Sequence, residues 1–396
     1  AHPWRRGSAD VAHAIRGCRR AMLLPHGLLL CAVLAQNDAG ITLDLPRFLF
    51  EDYQTHAQHA AQLLASTPLG QSQMAYVDEA TTEAITHPYA LQFGADHSLF
   101  ITSFALDHVV RMSWTLGEDS RARFRVFARV DSPVGLAYDA SGRFSGGQAR
   151  TLYVSSFTAD LIYAFDDEGA LLRAFGDEET LDCPEGLAFG PDGLLYAVSF
   201  LRQHVARYDA ATGRLVGVFA GAKDGPSKAL VGPEDLAWAA VFPGNETAPT
   251  RYDLFVTSYY SNSVERFHGL TGEWLGSVGR GIVDGPVGIA VSATSPSELF
   301  VASYRKNAIH AFDAPTGNFL GVAAGRGTEA SEDGRLWRGG LVGPSGLTFS
   351  PVDHTLFVAS YATSHLVRFN KSAHASQYDS YSRLTTSRPR EVGHAA

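Results

Sequence analysis

Six copies of one short sequence unit dominate this chain and limit what it can fold into. Each copy opens with Pro, then a variable residue, then Gly in four of the six copies, and then Leu or Ile, as in Pro184-Glu185-Gly186-Leu187-Ala188. The Leu or Ile of this opening segment recurs every 45 to 58 residues, at Leu91, Leu136, Leu187, Leu236, Ile289 and Leu347. Self-similarity at such a period is the sequence signature of a repeat architecture.

A second segment in each copy ends at a repeated serine, as in Leu254-Phe255-Val256-Thr257-Ser258. These serines are Ser103, Ser156, Ser199, Ser258, Ser303 and Ser360. A third segment ends nine residues after each of them, at Met112, Phe165, Tyr208, Phe267, Phe312 and Phe369. Because the spacing is constant within copies and variable between them, the pattern indicates rigid units joined by loops of variable length.

Each segment is short, rich in β-branched and aromatic residues, and bounded by Gly, Pro, Asp or Asn, which is typical of strands. Turn residues then precede a fourth apolar segment, such as Leu215-Val216-Gly217-Val218-Phe219. Four strands in about 40–50 residues is the composition of a propeller blade. We therefore predict an all-β, six-bladed β-propeller over residues 87–369. A β-sandwich would not produce six equal copies.

The sixth copy lacks a fourth strand, since residues 370–396 are polar and are predicted to be disordered. A strand from residues 73–78 or 41–50 would close the ring from the N-terminal side. Residues 53–64 carry an apolar stripe at helical spacing, which predicts a short helix. We assign 36–86 to this helix and the closing strand.

The first 35 residues are typical of a targeting segment. Arg19-Arg20 precede an apolar run over residues 22–35, which is too short to span a bilayer and ends in Ala35. This order predicts a secretory signal, with Met22 as the translational start, and hence a secreted or lumenal protein. A buried N-terminal helix and an organelle transit peptide are the alternatives.

Cysteine and glycosylation motifs are compatible with secretion. Of Cys18, Cys31 and Cys183, only the last lies beyond the targeting segment, so no internal disulfide is expected. Two acceptor sequons, at Asn245 and Asn370, predict glycosylated surface loops in a secreted chain.

The charge limits the classes of partner. The net charge is −9, and the basic first 35 residues make the remainder more acidic still. A chain with this excess of acidic residues lacks the positive charge that binding to nucleic acid or anionic lipid requires. We expect a monomer without a membrane span in the mature chain, binding a protein or a small molecule.

The three segments, with their Pro-x-Gly-Leu-Ala-Phe, Leu-Phe-Val-Ala-Ser-Tyr and Asn-x-Ile-x-x-Phe pattern, resemble NHL-repeat propellers. They resemble the gluconolactonase-like (regucalcin) propellers more loosely. NHL repeats usually carry Asp where this chain has its repeated serines. The second resemblance implies a divalent cation, held by acidic and amide residues near the channel, that activates water or polarises a lactone carbonyl.

The residue between Pro and Gly in each copy is predicted to lie at the channel mouth, on the face formed by the loops between blades. Among these residues are Tyr89, Glu185, Glu234 and Ser345. Two carboxylates meeting there would bind a cation, Ca²⁺ or Mg²⁺ rather than a soft metal, or share a proton. Alternatively, each Glu caps loop amides or pairs with a loop Arg.

Two further groups are candidates for ligand binding on this face. Three histidines follow the repeated serines by five residues: His108, His204 and His365. The longest insertion, 323–342, carries Arg335, Trp337 and Arg338, which are residue types common in interfaces. Scattered solvent-facing histidines and a loop that merely covers the rim are the alternatives.

These features favour a binding or interaction module that presents the face formed by the inter-blade loops. The alternative function is a metal-dependent lactone or ester hydrolase in which Glu185 and Glu234 hold the cation and water is the nucleophile.

Overall fold

The computed structural model describes residues 84–114, 122–221, 230–241, 251–292, 294–295, 297–325 and 341–369. Within these ranges each sequence repeat forms one antiparallel sheet, with its strands side by side in chain order. Each sheet is one blade of a propeller, and the all-β, six-bladed prediction is confirmed.

The first three blades have four strands each. Blade one contains β1 (Pro88–Phe93), β2 (Leu99–Ser103), β3 (His108–Trp114) and β4 (Ala122–Arg129). Blade two contains β5 (Pro133–Asp139), β6 (Thr151–Ser156), β7 (Leu161–Phe165) and β8 (Leu171–Phe175). Blade three contains β9 (Pro184–Phe189), β10 (Leu195–Ser199), β11 (His204–Asp209) and β12 (Arg214–Ala220).

The last three blades continue this order. Blade four contains β13 (Pro233–Val241), β14 (Arg251–Ser258), β15 (Ser263–Phe267) and β16 (Trp274–Val278). Blade five contains β17 (Pro286–Val291), β18 (Glu298–Ser303), β19 (Ala308–Asp313) and β20 (Phe319–Gly325). Blade six contains β21 (Pro344–Phe349), β22 (Leu356–Ser360) and β23 (His365–Phe369). Two short 3-10 turns, Phe104–Leu106 and Tyr361–Thr363, connect β2 to β3 and β22 to β23.

The innermost strands form a closed circle. β1 contacts β5, and the contacts continue through β9, β13, β17 and β21 back to β1. Six clusters of buried apolar side chains fill the six spaces between neighbouring blades. The cluster between blades six and one packs Ile101 and Val110 against Phe357 and Leu366. A blade buries its two faces only against its neighbours, so closure of the circle completes the core.

Polar contacts also join the last blade to the first. The Ser345 hydroxyl donates to the carbonyl of Pro88 at 2.8 Å, and the backbone N–H of His87 donates to Ser364 Oγ at 3.2 Å. Gly346 has no side chain, which lets the two inner strands approach closely: a Cβ there would lie 2.3 Å from the carbonyl oxygen of Tyr89. The ring therefore closes within the described residues.

The repeated serines are structural. All six are fully buried. Each hydroxyl donates a hydrogen bond to the backbone carbonyl two residues before the Pro of its own blade. In blade four, Ser258 Oγ accepts from the N–H of Val231 at 2.8 Å and donates to the carbonyl of the same residue at 3.2 Å. The same serine pairs with Pro233 in the sheet. Each serine thus holds the loop entering the blade against the end of the second strand.

Two parts of the predicted architecture lie outside the described residues. The candidate closing strands at 73–78 and 41–50, like the helix over 53–64, are among them and stay predictions. Blade six has three strands within the described ranges. No helix in the described part of the chain is long and apolar enough to cross a membrane.

Candidate functional site: the channel mouth

The first strand of every blade begins with a β-bulge that aims one side chain at the channel. Pro233 pairs with Ser258, but Leu236 pairs with Val256, so one residue is extra between them. The same shift occurs in the other five blades. Such bulges re-aim side chains and are frequent near active sites. Here they carry Tyr89, Val134, Glu185, Glu234, Val287 and Ser345 to one end of the channel.

We call this end the mouth face. It carries the loops that enter each blade and the connections from second to third strands, since the Pro and the repeated Ser of each blade are paired neighbours. The loops between first and second strands lie on the opposite face.

Glu185 and Glu234, predicted as metal ligands, lie close together at the mouth face on the neighbouring blades three and four. Their exposed fractions are only 4% and 7%. Burial raises the pKa of Glu234 to about 7. Burial, reinforced by the negative charge of Glu234, raises the pKa of Glu185 well above its usual range. Two buried carboxylates without a counter-charge retain protons or take up a cation.

A third carboxylate belongs to this group, because Asp235 replaces the usual Gly of the opening segment. Its Oδ1 accepts from its neighbour Leu236 N–H at 2.8 Å, and its Oδ2 accepts from the N–H of Ile289 in blade five at 3.1 Å. Burial raises its pKa to about 6 despite these bonds. We call Glu185, Glu234 and Asp235 the acidic trio.

Tyr89 reaches the acidic trio from the opposite side of the channel. Its hydroxyl, on blade one, donates a hydrogen bond to Glu234 Oε2 on blade four. The same hydroxyl is close enough to stabilise the ionised form of Glu185, which lowers that pKa in part. Burial and the two carboxylates raise the pKa of Tyr89 well above its usual value, so the hydroxyl keeps its proton and remains a donor.

One acidic oxygen lacks a protein partner. Glu185 Oε2 is buried and has no hydrogen bond among the described residues. A buried carboxylate oxygen left unpaired costs free energy. Glu185 Oε2 is therefore a candidate contact for a water, an ion or a ligand.

A closed circle of aromatic rings surrounds the acidic trio. The residue after each repeated serine is Phe or Tyr, and neighbouring rings touch from blade to blade, with centroids 5.2 to 6.4 Å apart. We call these residues the aromatic collar: Tyr89, Phe104, Phe157, Phe200, Tyr259, Tyr260, Tyr304 and Tyr361. All but Tyr259 are partly exposed. The collar therefore presents aromatic surface around the carboxyl groups of the acidic trio.

The predicted histidines are not in the collar. Nε2 of His108 lies 2.8 Å from the carbonyl oxygen of Ala84, and Nε2 of His204 lies 2.8 Å from that of Thr180. Both hold the loop that enters their own blade. His365 is half-buried, and burial lowers its pKa. Ser345 lies at the mouth face, where its hydroxyl serves the contact between blades six and one.

The remaining sequence candidates lie outside the described residues. These are Arg335, Trp337 and Arg338 in the long insertion, and the sequon residues Asn245 and Asn370.

Sequence reasoning missed Asp235 and the aromatic collar. The collar had a visible signal, because an aromatic residue follows the repeated serine in all six copies. That regularity reads equally well as packing, and only the ring contacts show that the six positions meet. Asp235 stands alone at a position that is Gly in four copies, and its partner in blade five is not visible in the sequence.

Another group of potential metal ligands lies between blades two and three. Ligand atoms of Asp160, Asp182 and Cys183 come within 4.8 Å of one another. Asp160 Oδ1 accepts from the backbone N–H of Cys183 at 2.9 Å. The equivalent Asp107, Asn262 and Asn307 make the same bond to the next blade, at 2.8 Å in each case. Asp160 is thus one of a repeated set of inter-blade hydrogen bonds.

A cleft of about 300 Å³ lies on the opposite face. It is lined by loop residues of blades two and three, among them Arg143, Phe144, Asp192 and Asp209. The Asp192 and Asp209 carboxylates already accept local hydrogen bonds, from Tyr196 Oη and from turn N–H groups. The chemistry of the mouth face is more specific, since it combines paired buried acids with an unpartnered oxygen.

The similarity of this chain to known proteins is found in solved structures. No protein-family model matches the sequence. No curated protein matches it either. Among solved structures, a catalytically inactive virginiamycin B lyase from Staphylococcus aureus, crystallised with quinupristin, is 14% identical at a TM-score of 0.43, covering 71% of this chain and 79% of that one.

Two further solved structures are similar at the same level. A selenomethionine-substituted virginiamycin B lyase from Staphylococcus aureus is 14% identical at a TM-score of 0.44, with coverage of 71% and 79%. A streptogramin B lyase structure is 13% identical at a TM-score of 0.41, with coverage of 72% and 93%. Similarity at this level says nothing about the activity or ligand of this chain.

Proposed function

We propose that this propeller is a binding module that holds its ligand at the channel mouth, inside the aromatic collar. The observation that carries this proposal is the unpartnered, buried Glu185 Oε2 beside Glu234. Carboxylates whose pKa values are strongly perturbed by burial and by a neighbouring charge are candidates for a functional site. Pockets lined by aromatic residues with a few convergent polar groups are the usual form of a small-molecule site.

A fragment screen tests this location without assuming a ligand class. Ligand-observed NMR with neutral, anionic and cationic fragments is run on the wild type and on Tyr361→Ala, which removes one collar ring. Phe144→Ala, in the cleft on the opposite face, is the matched control. We expect the hits to lose binding in Tyr361→Ala and to keep it in Phe144→Ala. The reverse pattern would contradict a site at the mouth.

A metal-dependent hydrolase is the second candidate, favoured by the proximity of Glu185 and Glu234. These two carboxylates would hold Ca²⁺ or Mg²⁺, which when bound supplies Lewis-acid polarisation of a lactone or ester carbonyl. The donor set fits poorly, because Ca²⁺ takes six to eight oxygens. Both Asp235 oxygens already accept backbone N–H groups, and Glu234 accepts from Tyr89.

Metal analysis and an activity assay decide between the two candidates. The hydrolase predicts stoichiometric divalent metal in the purified protein, and hydrolysis of a lactone panel that EDTA and Glu185→Gln abolish. The binding module predicts that any such hydrolysis is unaffected by either. EDTA-sensitive turnover lost in Glu185→Gln would overturn the pure binding function.

A further inference from the structure

Resting on the proposed site at the channel mouth, we infer that its ligand is an organic ammonium, with the charged nitrogen between Glu185 and Glu234 and an apolar body against the aromatic collar. This assigns a chemical class to the ligand: a protonated amine on an aryl or alkyl group. The charge, the aromatic surface and the number of acceptors at the mouth each point to this class.

The first argument is charge. The acidic trio contributes three neighbouring carboxylates, of which Glu185 and Glu234 are buried and Asp235 is partly exposed. Arg305 lies on the same face, but its guanidinium sits 4.5 Å from the Tyr259 ring centroid and donates to Asp284 at 3.1 Å. Its charge is therefore shared with an acid outside the trio. A buried carboxylate pair is stabilised by a cation placed between its members.

The second argument is the aromatic collar. The face of an aromatic ring attracts a cation electrostatically, and rings of Tyr and Phe around one point form the cages that bind ammonium groups. Here eight rings encircle the acids in an unbroken chain of contacts.

The third argument is the number of acceptors. A primary ammonium donates three hydrogen bonds. The mouth offers Glu185 Oε2, which has no protein donor among the described residues, together with the Glu234 carboxylate and the oxygen of Tyr89. Three acceptors satisfy an ammonium and fall short of the shell that Ca²⁺ requires. A neutral ligand would leave the carboxylates uncompensated.

The test is isothermal titration calorimetry with a set of amines and their uncharged counterparts. The probes are benzylammonium, phenethylammonium and hexylammonium, each paired with the alcohol of the same carbon skeleton. The variant Glu185→Gln/Glu234→Gln removes both charges and keeps the shapes of the side chains. Glu168→Gln/Glu273→Gln, at two exposed turn positions on the opposite face, makes the same change in net charge and is the control.

At about pH 8, above the pKa values of about 7 for Glu234 and about 6 for Asp235, we expect at least one amine to bind and its alcohol to bind at least about tenfold more weakly. The mouth variant should lose at least about tenfold in affinity for the amine, and the control variant should stay within about twofold. Equal affinity of amine and alcohol, or an unchanged mouth variant, would overturn the inference. Absence of binding by every amine up to about 10 mM would also overturn it.

These failures are distinguishable from failure of the proposed site. If amine and alcohol bind equally and both lose binding in Tyr361→Ala, the mouth remains the site and only the ammonium class is wrong. If ligands bind in Tyr361→Ala as in the wild type, the site itself is wrong. Stoichiometric Ca²⁺ that excludes every amine would replace the ammonium with a metal ion.

Discussion

The hydroxyl of Tyr89 donates a hydrogen bond to the carboxylate of Glu234 across the channel mouth. Tyr89 lies on the innermost strand of blade one and Glu234 on that of blade four, on opposite sides of the ring. The bond therefore forms only when the circle of blades is closed. It links the closure of the fold directly to the charge state of the candidate site.

Replacing Tyr89 with Phe should raise the pKa of Glu234 and destabilise the protein at high pH. The hydroxyl stabilises the ionised carboxylate, and a hydrogen bond to a charged group contributes about 1.5–3 kcal/mol. We expect a loss of about that size at pH 8 and a much smaller one at pH 5, where Glu234 is protonated. Urea unfolding at both pH values measures it, with Tyr252→Phe, at an exposed tyrosine, as the control. Equal losses at both pH values would contradict this role.

The stability of the wild type should fall relative to Glu234→Gln as the pH rises. Burial raises the Glu234 pKa from 4.5 to about 7. The folded state therefore holds a proton that the unfolded chain has released between these values, and stability is lost as pH rises through that window. The expected difference approaches about 2 kcal/mol at pH 8, after allowance for coupling to Glu185.

The comparison with Glu234→Gln is needed because other groups at the mouth also titrate or carry charge. These are Glu185, Asp235, Tyr89, Tyr260, Tyr361, Arg305 and His87. Burial lowers the pKa of His87. Its contribution to stability therefore rises with pH up to its usual pKa, which opposes the fall caused by Glu234. Parallel stability curves of wild type and variant from pH 4 to 8 would contradict a raised Glu234 pKa.

Ser258→Ala should weaken the fold and leave ligand binding intact. The fully buried hydroxyl accepts from the N–H of Val231 and donates to its carbonyl. That carbonyl also accepts from the N–H of Tyr260 at 3.1 Å, so the variant leaves the Val231 N–H without this partner. Leaving buried polar groups unpaired costs about 1–3 kcal/mol. Chemical denaturation measures the loss. A variant of wild-type stability that no longer binds the amine probe would instead place the repeated serines in the site.

Gly346→Ala should destabilise the contact between blades six and one. Its Cβ would lie 2.3 Å from the carbonyl oxygen of Tyr89, so the strands β21 and β1 must separate. Overpacking of this kind costs about 1–3 kcal/mol or more, and it also moves Tyr89 away from Glu234. Thermal unfolding checks the stability. An unfolding midpoint equal to that of the wild type would show that the two inner strands can separate without cost.

The fold could be predicted from sequence because the same spacing recurs six times. Constant intervals between the opening segment, the repeated serine and the following aromatic residue define one blade, and repetition defines the circle. Glu185 and Glu234 could be placed at the mouth by the same argument, since each directly follows the Pro that opens its copy.

The chemistry of the mouth could not be predicted, because it depends on contacts across the circle. The bond from Tyr89 to Glu234 joins residues 145 positions apart on opposite blades. The spacing of one repeat carries no information about such a pair. The bond from Ile289 N–H to Asp235 likewise depends on how closely two inner strands approach.

The most direct test of an ammonium site at the channel mouth is a crystal structure of the full chain with 4-bromobenzylammonium. The anomalous signal of bromine locates the ring independently of the protein density. We predict the bromophenyl group inside the aromatic collar, with the nitrogen within hydrogen-bonding distance of Glu185 and Glu234. Bromine in the cleft beside Phe144, or a nitrogen directed away from both carboxylates, would contradict this account.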